Sequence, residues 1–253
     1  MFNSLRVRIF YLFVVVNVLL LFVIEVIPYG NAKAWGEVNE ATASNGASSS
    51  AIDDPFEATN RIMFEFNDKF YFWVIKPLSA GYSAFVGEDE RVVVGNFFHN
   101  LLMPVRLVNS LLQLKFDEAG IELARFGINT TIGVWGLGDV ATGSFKLSSN
   151  KKDMGLTLGT YGAGHGFYIV WPFLGPMSLR DSFGYVGDLA LSPISYVGSL
   201  EGSLSLNVYK YFNKTSLHIG DYEDIKSSSL DPYVALRDAY IQHRNNLVKQ
   251  ESQ

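Results

Sequence analysis

The most restrictive feature of this sequence is a pair of neighbouring helical segments whose polar side chains form only a narrow stripe. At helical spacing, the segment 105–116 places on one side the polar residues Arg106, Asn109, Ser110 and Gln113. The segment 118–129 repeats the pattern with Glu118, Glu122, Arg125 and Asn129. A surface helix of a water-soluble protein carries a broad polar face. The pattern therefore leaves two arrangements open, burial in a large core or a polar interior with lipid outside.

Neither of these two helices is long enough to cross a bilayer. Twelve residues rise about 18 Å, whereas the hydrocarbon core is about 30 Å thick. The helices can lie within one leaflet, as interfacial helices do. Asp117, between the two segments, is expected to cap the second helix.

The N-terminus predicts export. Arg6 and Arg8 precede an almost wholly apolar run, Ile9–Ile24, and Ala32-Lys33-Ala34 then supplies a small-residue cleavage site. This order is typical of a Sec signal peptide cleaved after Ala34. The alternative is an uncleaved anchor, because the 19-residue stretch Ile9–Ile27 approaches the length that spans a bilayer.

Composition divides the remaining chain into two parts. Residues 35–51 are rich in Ala, Ser, Asn and Gly without periodicity, which predicts a disordered linker. No second linker and no repeat follow, so we expect one domain over residues 52–253. The net charge of −5 argues against a nucleic-acid partner, which needs a basic footprint.

Two Asp-Pro pairs mark helix starts. Asp54 is expected to cap a helix that runs to about Ile75 and ends before Lys76-Pro77. Asn60 and Asn67 lie in the middle of its apolar face, either as core amides paired with backbone groups or as a polar track. Asp231-Pro232 predicts the start of a C-terminal helix.

A glycine-rich centre surrounds a short apolar run. Gly162–Gly166 leads into Phe167–Leu174, which is followed by Gly175-Pro176. We expect either an apolar hairpin that inserts into a membrane or a buried strand of the core, since periodicity cannot decide so short a run. The candidate inserting residues are Phe167, Tyr168, Ile169, Val170, Trp171, Phe173 and Leu174.

Catalytic and metal-binding chemistry finds no support in the sequence. The 253 residues contain no cysteine and four scattered histidines, so neither a thiolate nor a histidine-built metal site is expected. The G-x-G-x-G stretch lacks a P-loop lysine, and His165 is expected to be structural. Asp139, Asp153, Asp181 and Asp188 are expected to be caps and turn formers. We predict no catalytic residues and no cofactor.

Ordered motifs along the chain carry a family resemblance. They are Asp54-Pro-Phe-Glu57 with Asn60-Arg61, Phe66-Asn67, Lys76-Pro77, Asn96-Phe-Phe98, Asn109–Gln113, Arg125-Phe126, Asn129–Gly133, Gly155–Gly159, Gly164–Tyr168, Pro172–Pro176, Leu179-Arg-Asp181 and Tyr233–Tyr240. Over about residues 53–245 the chain resembles the MlaA (VacJ) family.

The resemblance implies a mainly α protein whose amphipathic helices form a ring-like assembly in the periplasmic leaflet of a Gram-negative outer membrane. Such proteins remove phospholipids from the outer leaflet and maintain lipid asymmetry. They work beside a trimeric porin and pass lipid to a soluble periplasmic carrier, MlaC. The resemblance makes the polar stripes candidate lipid-path residues: Asn60, Phe66, Asn67, Arg106, Asn109, Gln113, Glu122, Arg125 and Asn129.

One departure concerns the anchor. Members of that family commonly begin with a lipobox cysteine, and this chain has no cysteine. Attachment is then expected from the body, from the porin or from an uncleaved N-terminal helix. Two other functions remain open at this point, a structural outer-membrane adaptor without a passage and, less favoured, a lipid hydrolase.

Overall fold

The computed structural model describes residues 54–252. The signal peptide expected at 1–34 and the linker expected at 35–51 lie outside the described residues. Within the described part, the expectation of a mainly α fold is confirmed. The ring-like arrangement stays a prediction.

The helices and strands follow one another with short connections. In chain order they are α1 (Glu57–Phe70), a widened π turn (Tyr71–Ile75), α2 (Lys76–Phe85), α3 (Glu88–Leu101), α4 (Met103–Leu112), α5 (Phe116–Thr131), α6 (Val140–Gly143), α7 (Met154–Thr160), β1 (Tyr168–Trp171), β2 (Gly175–Ser178), α8 (Leu179–Leu191), a 3₁₀ turn (Pro193–Tyr196), α9 (Leu200–Ser216), α10 (Asp221–Ser228) and α11 (Pro232–Glu251).

The first helix does not end before Lys76-Pro77, and that prediction is wrong. Helical backbone continues through the π turn, where the Lys76 N–H bonds to the Tyr71 carbonyl, and on to Phe85. A proline inside a regular helix removes one hydrogen bond and collides with the carbonyl four residues earlier. The wider turn just before Pro77 displaces those carbonyls, so the chain passes the proline without stopping.

Asp54 is not the cap of α1, which is a second correction. The residue before the helix is Phe56, and no side chain caps the helix there. The Asp54 carboxylate instead accepts hydrogen bonds from Tyr233, from Asn60 at 2.8 Å and from Arg237 at 3.4 Å. Because Tyr233 and Arg237 belong to α11 and Asn60 to the first turn of α1, the carboxylate joins these two helices instead of capping backbone N–H groups.

The apolar run after the glycines forms a two-stranded antiparallel hairpin. Tyr168 pairs with Ser178, and Trp171 pairs with Gly175. Its inner face packs on α11, where one core cluster contains Tyr168, Val170, Tyr233, Tyr240 and Ile241. A second cluster joins the π turn to α9 and α10 through Tyr71, Ile75, Tyr211 and Tyr222. Both clusters are rich in tyrosine, so each needs hydrogen-bond partners for its hydroxyls.

The predicted C-terminal helix is confirmed. The Asp231 carboxylate accepts hydrogen bonds from the backbone N–H groups of Tyr233 and Val234, and Pro232 occupies the first helical position. The resulting helix, α11, is the longest described element.

Candidate functional site

Helices α4 and α5 form an antiparallel pair joined by a tight reversal. Lys115 N–H bonds back to the Ser110 carbonyl, and Leu114 adopts the left-handed backbone conformation, with φ of 59°. Asp117 lies in the first turn of α5 but does not cap it, contrary to the prediction, because the residue before the helix is Lys115. The reversal turns the polar stripes of the two helices towards each other.

The two stripes meet in a buried ion pair. Arg106 Nε lies 2.8 Å from Glu122 Oε2, with the two side chains 10% and 2% exposed. Ser149 donates to the other Glu122 oxygen at 2.8 Å, and Arg106 also donates to the His99 carbonyl. Burial, followed by the charge of Arg106, lowers the pKa of His99 to about 4, so this histidine is neutral near pH 7.

A second polar group occupies the far end of α5. The Arg125 guanidinium donates to both Asp139 oxygens at 3.1 and 3.2 Å and to Thr142 Oγ1 at 2.6 Å. Asn129 donates to Asp139 and accepts from the Ala141 N–H. Burial acts to raise the pKa of Asp139, but the hydrogen bonds from Thr142, Asn129 and Arg125 prevail and lower it to about 2.

A third group joins α4 to α7 and α8. Asn109 is fully buried and donates to Asp188 Oδ1 at 3.0 Å, while its carbonyl accepts from Thr157 Oγ1 at 2.8 Å. Gln113 donates to the same Thr157 hydroxyl and accepts from Lys152. Burial, reinforced by the charge of Asp153, raises the pKa of Asp188 to about 7.

The opposite faces of α4 and α5, and the reversal between the two helices, are apolar and exposed. The exposed fraction is 69% for Leu114, 66% for Phe116 and 52% for Leu123. Arg125 and Asn129, on the same helix as Leu123, are each only 3% exposed. The helix pair is therefore inside out, with charges buried and large apolar side chains outside. Of the two arrangements that the stripes left open, burial of both helices in a large core is excluded.

The apolar exterior extends beyond the pair. After α5, Val134 and Trp135 both adopt left-handed backbone conformations and are 60% and 74% exposed. A branched or bulky residue pays a conformational penalty in this region, and such positions concentrate at functional sites. Further large apolar side chains are exposed on other elements: Ile62, Trp73, Leu78, Phe85, Phe183, Val186 and Leu200.

Asn60 and Asn67 lie where α1 meets the hairpin. The Asn60 amide donates to the Tyr168 carbonyl at 3.0 Å and accepts from the Val170 N–H at 2.8 Å. One helical heptad later, Asn67 donates to the Trp171 carbonyl and accepts from the Phe173 N–H. Each side-chain amide thus makes the two hydrogen bonds that the backbone of a neighbouring strand would otherwise make with the hairpin. This is the first of the two interpretations left open for the two residues, in which backbone groups satisfy the amides.

Phe66 completes that contact. Its ring packs edge-on against Phe173 at the hairpin turn, with ring centroids 4.8 Å apart, and remains 42% exposed. Asn60, Phe66 and Asn67 thus belong together, but they lie on a different element from the stripe residues of α4 and α5.

The hairpin alternates between inward and outward residues. Tyr168 and Val170 are buried against α11, so in this conformation they do not face outward. Phe167 and Trp171 are exposed, Ile169 and Leu174 are partly exposed, and Phe173 lies against Phe66. Only the outward set can contact a membrane without unfolding the hairpin.

One buried polar cluster was missed by the sequence reasoning. Arg244 on α11 donates to both Asp153 oxygens at 2.7 and 2.8 Å and to both Asp181 oxygens at 3.0 and 2.8 Å. Burial opposes the charge of Arg244, but the two carboxylates raise its pKa above its ordinary value. Asp139 and Asp153 do cap short helices, as expected, whereas Asp181 is a buried partner of Arg244.

The sequence feature that could have indicated this cluster is the pair of glycines Gly155 and Gly184. A side chain at Gly184 would collide with the backbone of Gly155, and one at Gly155 would meet Asp181 and Arg244. The glycines let α7 and α8 cross closely enough for one guanidinium to reach two carboxylates. His165, in the glycine-rich stretch, bonds to Asn245 at 2.6 Å.

Among residues 54–252, no three metal-ligating side chains converge on a common point. In the same range, no helix combines the length and the apolar character needed to cross a membrane.

Comparison with known proteins places the chain among envelope proteins. The family model described as MlaA lipoprotein matches residues 52–247. A protein of Rickettsia bellii is 36% identical over 201 residues, which is 78% of each chain. The intermembrane phospholipid transport system lipoprotein MlaA of Escherichia coli K12 is 31% identical, over 80% of this chain and 81% of the relative.

The fold is also similar to that of a solved structure. It comes from work on the structural basis for maintenance of bacterial outer membrane lipid asymmetry. The match has a TM-score of 0.69 at 31% sequence identity and covers 78% of this chain and 99% of that chain.

Proposed function

The chain belongs to the MlaA lipoprotein family, and on that premise we propose that it carries out intermembrane phospholipid transport, removing phospholipid from the outer leaflet of a Gram-negative outer membrane. The match to a solved structure from work on outer-membrane lipid asymmetry supports the same assignment. Its activity maintains lipid asymmetry and makes or breaks no covalent bond.

The observation that carries this proposal is the inside-out pair α4–α5. The body buries Arg106, Glu122 and Arg125 and exposes Leu114 and Phe116. Contact of these exposed apolar side chains with water is unfavourable, and their transfer into lipid is favourable. The outer half of the pair suits acyl chains, and the inner half offers polar groups that a head group requires.

Membrane attachment then needs no lipidated cysteine. The apolar exterior of the body, with Trp135, Phe116 and Leu114 among its most exposed residues, supplies the hydrophobic contact in place of the acyl chains of a lipoprotein. The N-terminal segment, as a cleaved Sec signal or an anchor, delivers the chain to the envelope.

The candidate path residues stay a prediction. Arg106, Glu122, Arg125, Asn129 and Asn109 all have partners within the protein, so a head group would have to exchange with those partners. Gln113 also has partners, Thr157 and Lys152, but it is the least buried of the stripe and lies where α4 ends, next to the reversal. It is the stripe residue at which a passing head group is first accommodated.

The partners follow from the family. A trimeric outer-membrane porin is proposed to hold the protein in the membrane, and a soluble MlaC-like periplasmic carrier is proposed to accept the lipid. A non-transporting adaptor is the second candidate. An adaptor function accounts for the exposed apolar surface, but it does not account for the buried polar groups behind that surface.

A hydrolase is not proposed. His165 is held by Asn245 rather than by a hydroxyl nucleophile, and Asp139, Asp153 and Asp181 are held by arginines. Purified protein is therefore expected to release no fatty acid from phospholipid vesicles.

The experiment is to extract the full chain from its membrane in a nonionic detergent and to measure co-purified phospholipid per protein. A transporter is expected to retain phospholipid that chases out when a short-chain phospholipid is added. Protein that carries no exchangeable phospholipid contradicts transport and leaves the adaptor.

A further inference from the structure

One buried arginine keeps hydrogen-bond donors that the rest of the body does not use. The Arg180 side chain, near the start of α8, is 4% exposed, and its Nε donates to Asp181 Oδ1 at 3.0 Å. Nη2 lies 3.0 Å from the same oxygen, but it forms no hydrogen bond with any residue of the described range, 54–252. Nη1 reaches the Ala163 carbonyl at 3.4 Å, which is longer than a usual N–H···O bond.

Asp181 has no acceptor position left for Nη2. Its Oδ1 accepts from Arg180 Nε and, at 2.8 Å, from Arg244 Nη2. Its Oδ2 accepts from Arg244 Nε at 3.0 Å and from the Tyr240 hydroxyl at 2.6 Å. Four bonds fill the lone pairs of a carboxylate. The end of the Arg180 guanidinium that carries Nη1 and Nη2 is therefore available to another oxyanion.

A thin loop covers this end of the guanidinium. The glycine loop, residues 161–166, is exposed at its first four residues, and the Ala163 carbonyl faces Arg180. A side chain at Gly162 or Gly164, on either side of Ala163, would meet no atom within 4 Å. Because one layer of backbone with open space around it separates the guanidinium from solvent, a small shift of Ala163 admits a ligand.

A second buried nitrogen without a partner lies under the same loop. His165 Nε2 contacts the Asn245 side-chain oxygen at 2.6 Å, and within the described part of the chain Nδ1 has no hydrogen-bond partner. Since an amide oxygen is an acceptor, Nε2 carries the hydrogen, and Nδ1 of the neutral ring is an acceptor. Buried polar atoms are normally paired, so two unpaired atoms in one place indicate a ligand.

The Arg180 and His165 side chains lie against the same turn of α11. The Arg180 N–H donates to the His165 carbonyl at 3.1 Å, which joins the two backbones. A side-chain carbon added at Gly159 would lie 2.9 Å from Arg180 Nη1 and 2.7 Å from Val248. Val248 is one turn of α11 beyond Asn245, the partner of His165.

The other end of the glycine loop contacts the inside-out pair. The Tyr161 hydroxyl donates to the Leu112 carbonyl, where α4 ends. Leu112 is 41% exposed and Leu114, in the reversal, is 69% exposed. A ligand with a phosphate at Arg180 can therefore place acyl chains on these leucines, one short loop away.

We propose that Arg180 and His165 bind the head group of a phospholipid. Arg180 Nη1 and Nη2 donate to two oxygens of the phosphodiester, a geometry that the planar guanidinium matches. His165 Nδ1 accepts a hydrogen bond from an ammonium or hydroxyl group of the same head group. The site rests on the proposed transport function and lies outside the polar stripes of α4 and α5.

The test uses the full chain in nonionic detergent micelles. Affinity is measured for dihexanoyl phosphatidylethanolamine, for dihexanoyl phosphatidylcholine, whose head group has no donor, and for inorganic phosphate. The main variant is Arg180→Gln, which is expected to fold because Asp181 keeps its bonds from Arg244. The matched control is Arg237→Gln, since Arg237 Nε likewise bonds to the following residue, Asp238, at 3.0 Å.

Arg180→Gln is expected to bind phosphatidylethanolamine roughly tenfold more weakly, since a hydrogen bond to a charged group is worth about that factor. The control is expected to bind as the wild type does. Arg180→Lys keeps a charge beside Asp181, so it tests the site even if the glutamine variant does not fold. It is also expected to bind more weakly, because an ammonium lacks the two-pronged edge.

The contribution of His165 is tested by the choice of lipid. The wild-type chain is expected to bind phosphatidylethanolamine more tightly than phosphatidylcholine, and His165→Phe is expected to remove that preference. Equal affinity of the wild type for the two lipids contradicts the assignment of His165.

Two results overturn the site as a whole. Phosphatidylethanolamine affinity that is equal in the folded Arg180 variants and in Arg237→Gln means that Arg180 does not bind the head group. Inorganic phosphate that binds as tightly as phosphatidylethanolamine means that the site takes a free anion rather than a lipid. In both cases the wild-type chain still binds phospholipid. A wild-type chain that binds none contradicts the transport function itself, and this site with it.

Discussion

Asn60 joins α1 to strand β1 through a single side-chain amide. Its single amide satisfies the Tyr168 carbonyl and the Val170 N–H, and it also donates to Asp54. Asn67 makes the equivalent pair of bonds nearer the hairpin turn, in a more exposed setting. The same chemistry is therefore present at two levels of burial.

Replacing Asn60 by Ala is expected to lower the free energy of unfolding by about 2–4 kcal/mol, because two buried backbone groups lose their partner. Asn67→Ala is expected to cost less, about 1 kcal/mol, since water can replace the amide there. Denaturant unfolding in detergent measures both. An equal or larger loss in Asn67→Ala contradicts the hydrogen-bonding assignment.

Asp188 predicts a pH dependence of stability. Its pKa rises from 3.8 in the unfolded chain to about 7 in the folded protein, mainly through burial. The folded state thus holds a proton that the unfolded state releases. The resulting stabilisation is full below about pH 4 and is lost as the pH rises through 7.

Asp188→Asn is expected to remove this dependence, because an amide, like the protonated carboxyl, is neutral and combines a donor group with an acceptor oxygen. Relative to wild type, the variant gains on the order of 1–3 kcal/mol in unfolding free energy between pH 5 and pH 8. Thermal unfolding at the two pH values measures the gain. A difference that does not change with pH contradicts a raised pKa.

At the scale of elements, the hairpin presents neighbouring residues to opposite environments. Val170 is 4% exposed and packs in the core cluster with α11, whereas Trp171 is 40% exposed. If the outer face of the hairpin contacts lipid, the same substitution has opposite consequences at these two positions.

Trp171→Asp is expected to leave helical circular dichroism intact in detergent and to reduce retention in membranes, because a carboxylate in hydrocarbon costs on the order of 3 kcal/mol. Val170→Asp is expected to unfold the protein instead, by burying an unpaired charge. Unchanged membrane retention of a folded Trp171→Asp protein means that the hairpin does not insert.

The elements also show which structure a sequence pattern can predict. The narrow polar stripes of α4 and α5 could be predicted because the polar residues recur with the period of a helix. The helix start at Asp231-Pro232 could be predicted because a cap depends on neighbouring residues alone. The predictions for Asp54, as a helix cap, and for Pro77, as the end of a helix, were wrong because they used neighbouring residues alone. Tyr233 and Arg237, far along the chain, hold Asp54, and a π turn admits Pro77.

The same distinction applies to the candidate site. The polar composition of the stripes was evident, but the partners Asp139, Asp188 and Thr157 lie on other elements. Arg244 binds Asp153 and Asp181 across 91 and 63 residues, and no periodicity reports on contacts of that kind.

At the scale of the whole molecule, α11 ties the hairpin end to the inside-out pair. Near its start, Asp231 pairs with Arg61 of α1 at 2.9 Å, and at its end Glu251 pairs with Lys115 at 2.8 Å. Twenty residues of helix span about 30 Å. The apolar exterior is therefore carried on a frame whose two ends are joined to the body by ion pairs, one exposed and one partly buried.

Transport from the outer leaflet is tested most directly by measuring surface-exposed phosphatidylethanolamine with a membrane-impermeant amine reagent in three strains. These are the parent, a strain that lacks this chain, and that strain carrying the chain again. Deletion is predicted to raise the labelled phospholipid, and the restored chain is predicted to return it to the parental level. Labelling that is equal in all three strains, with the protein present in the outer membrane, contradicts the transport function.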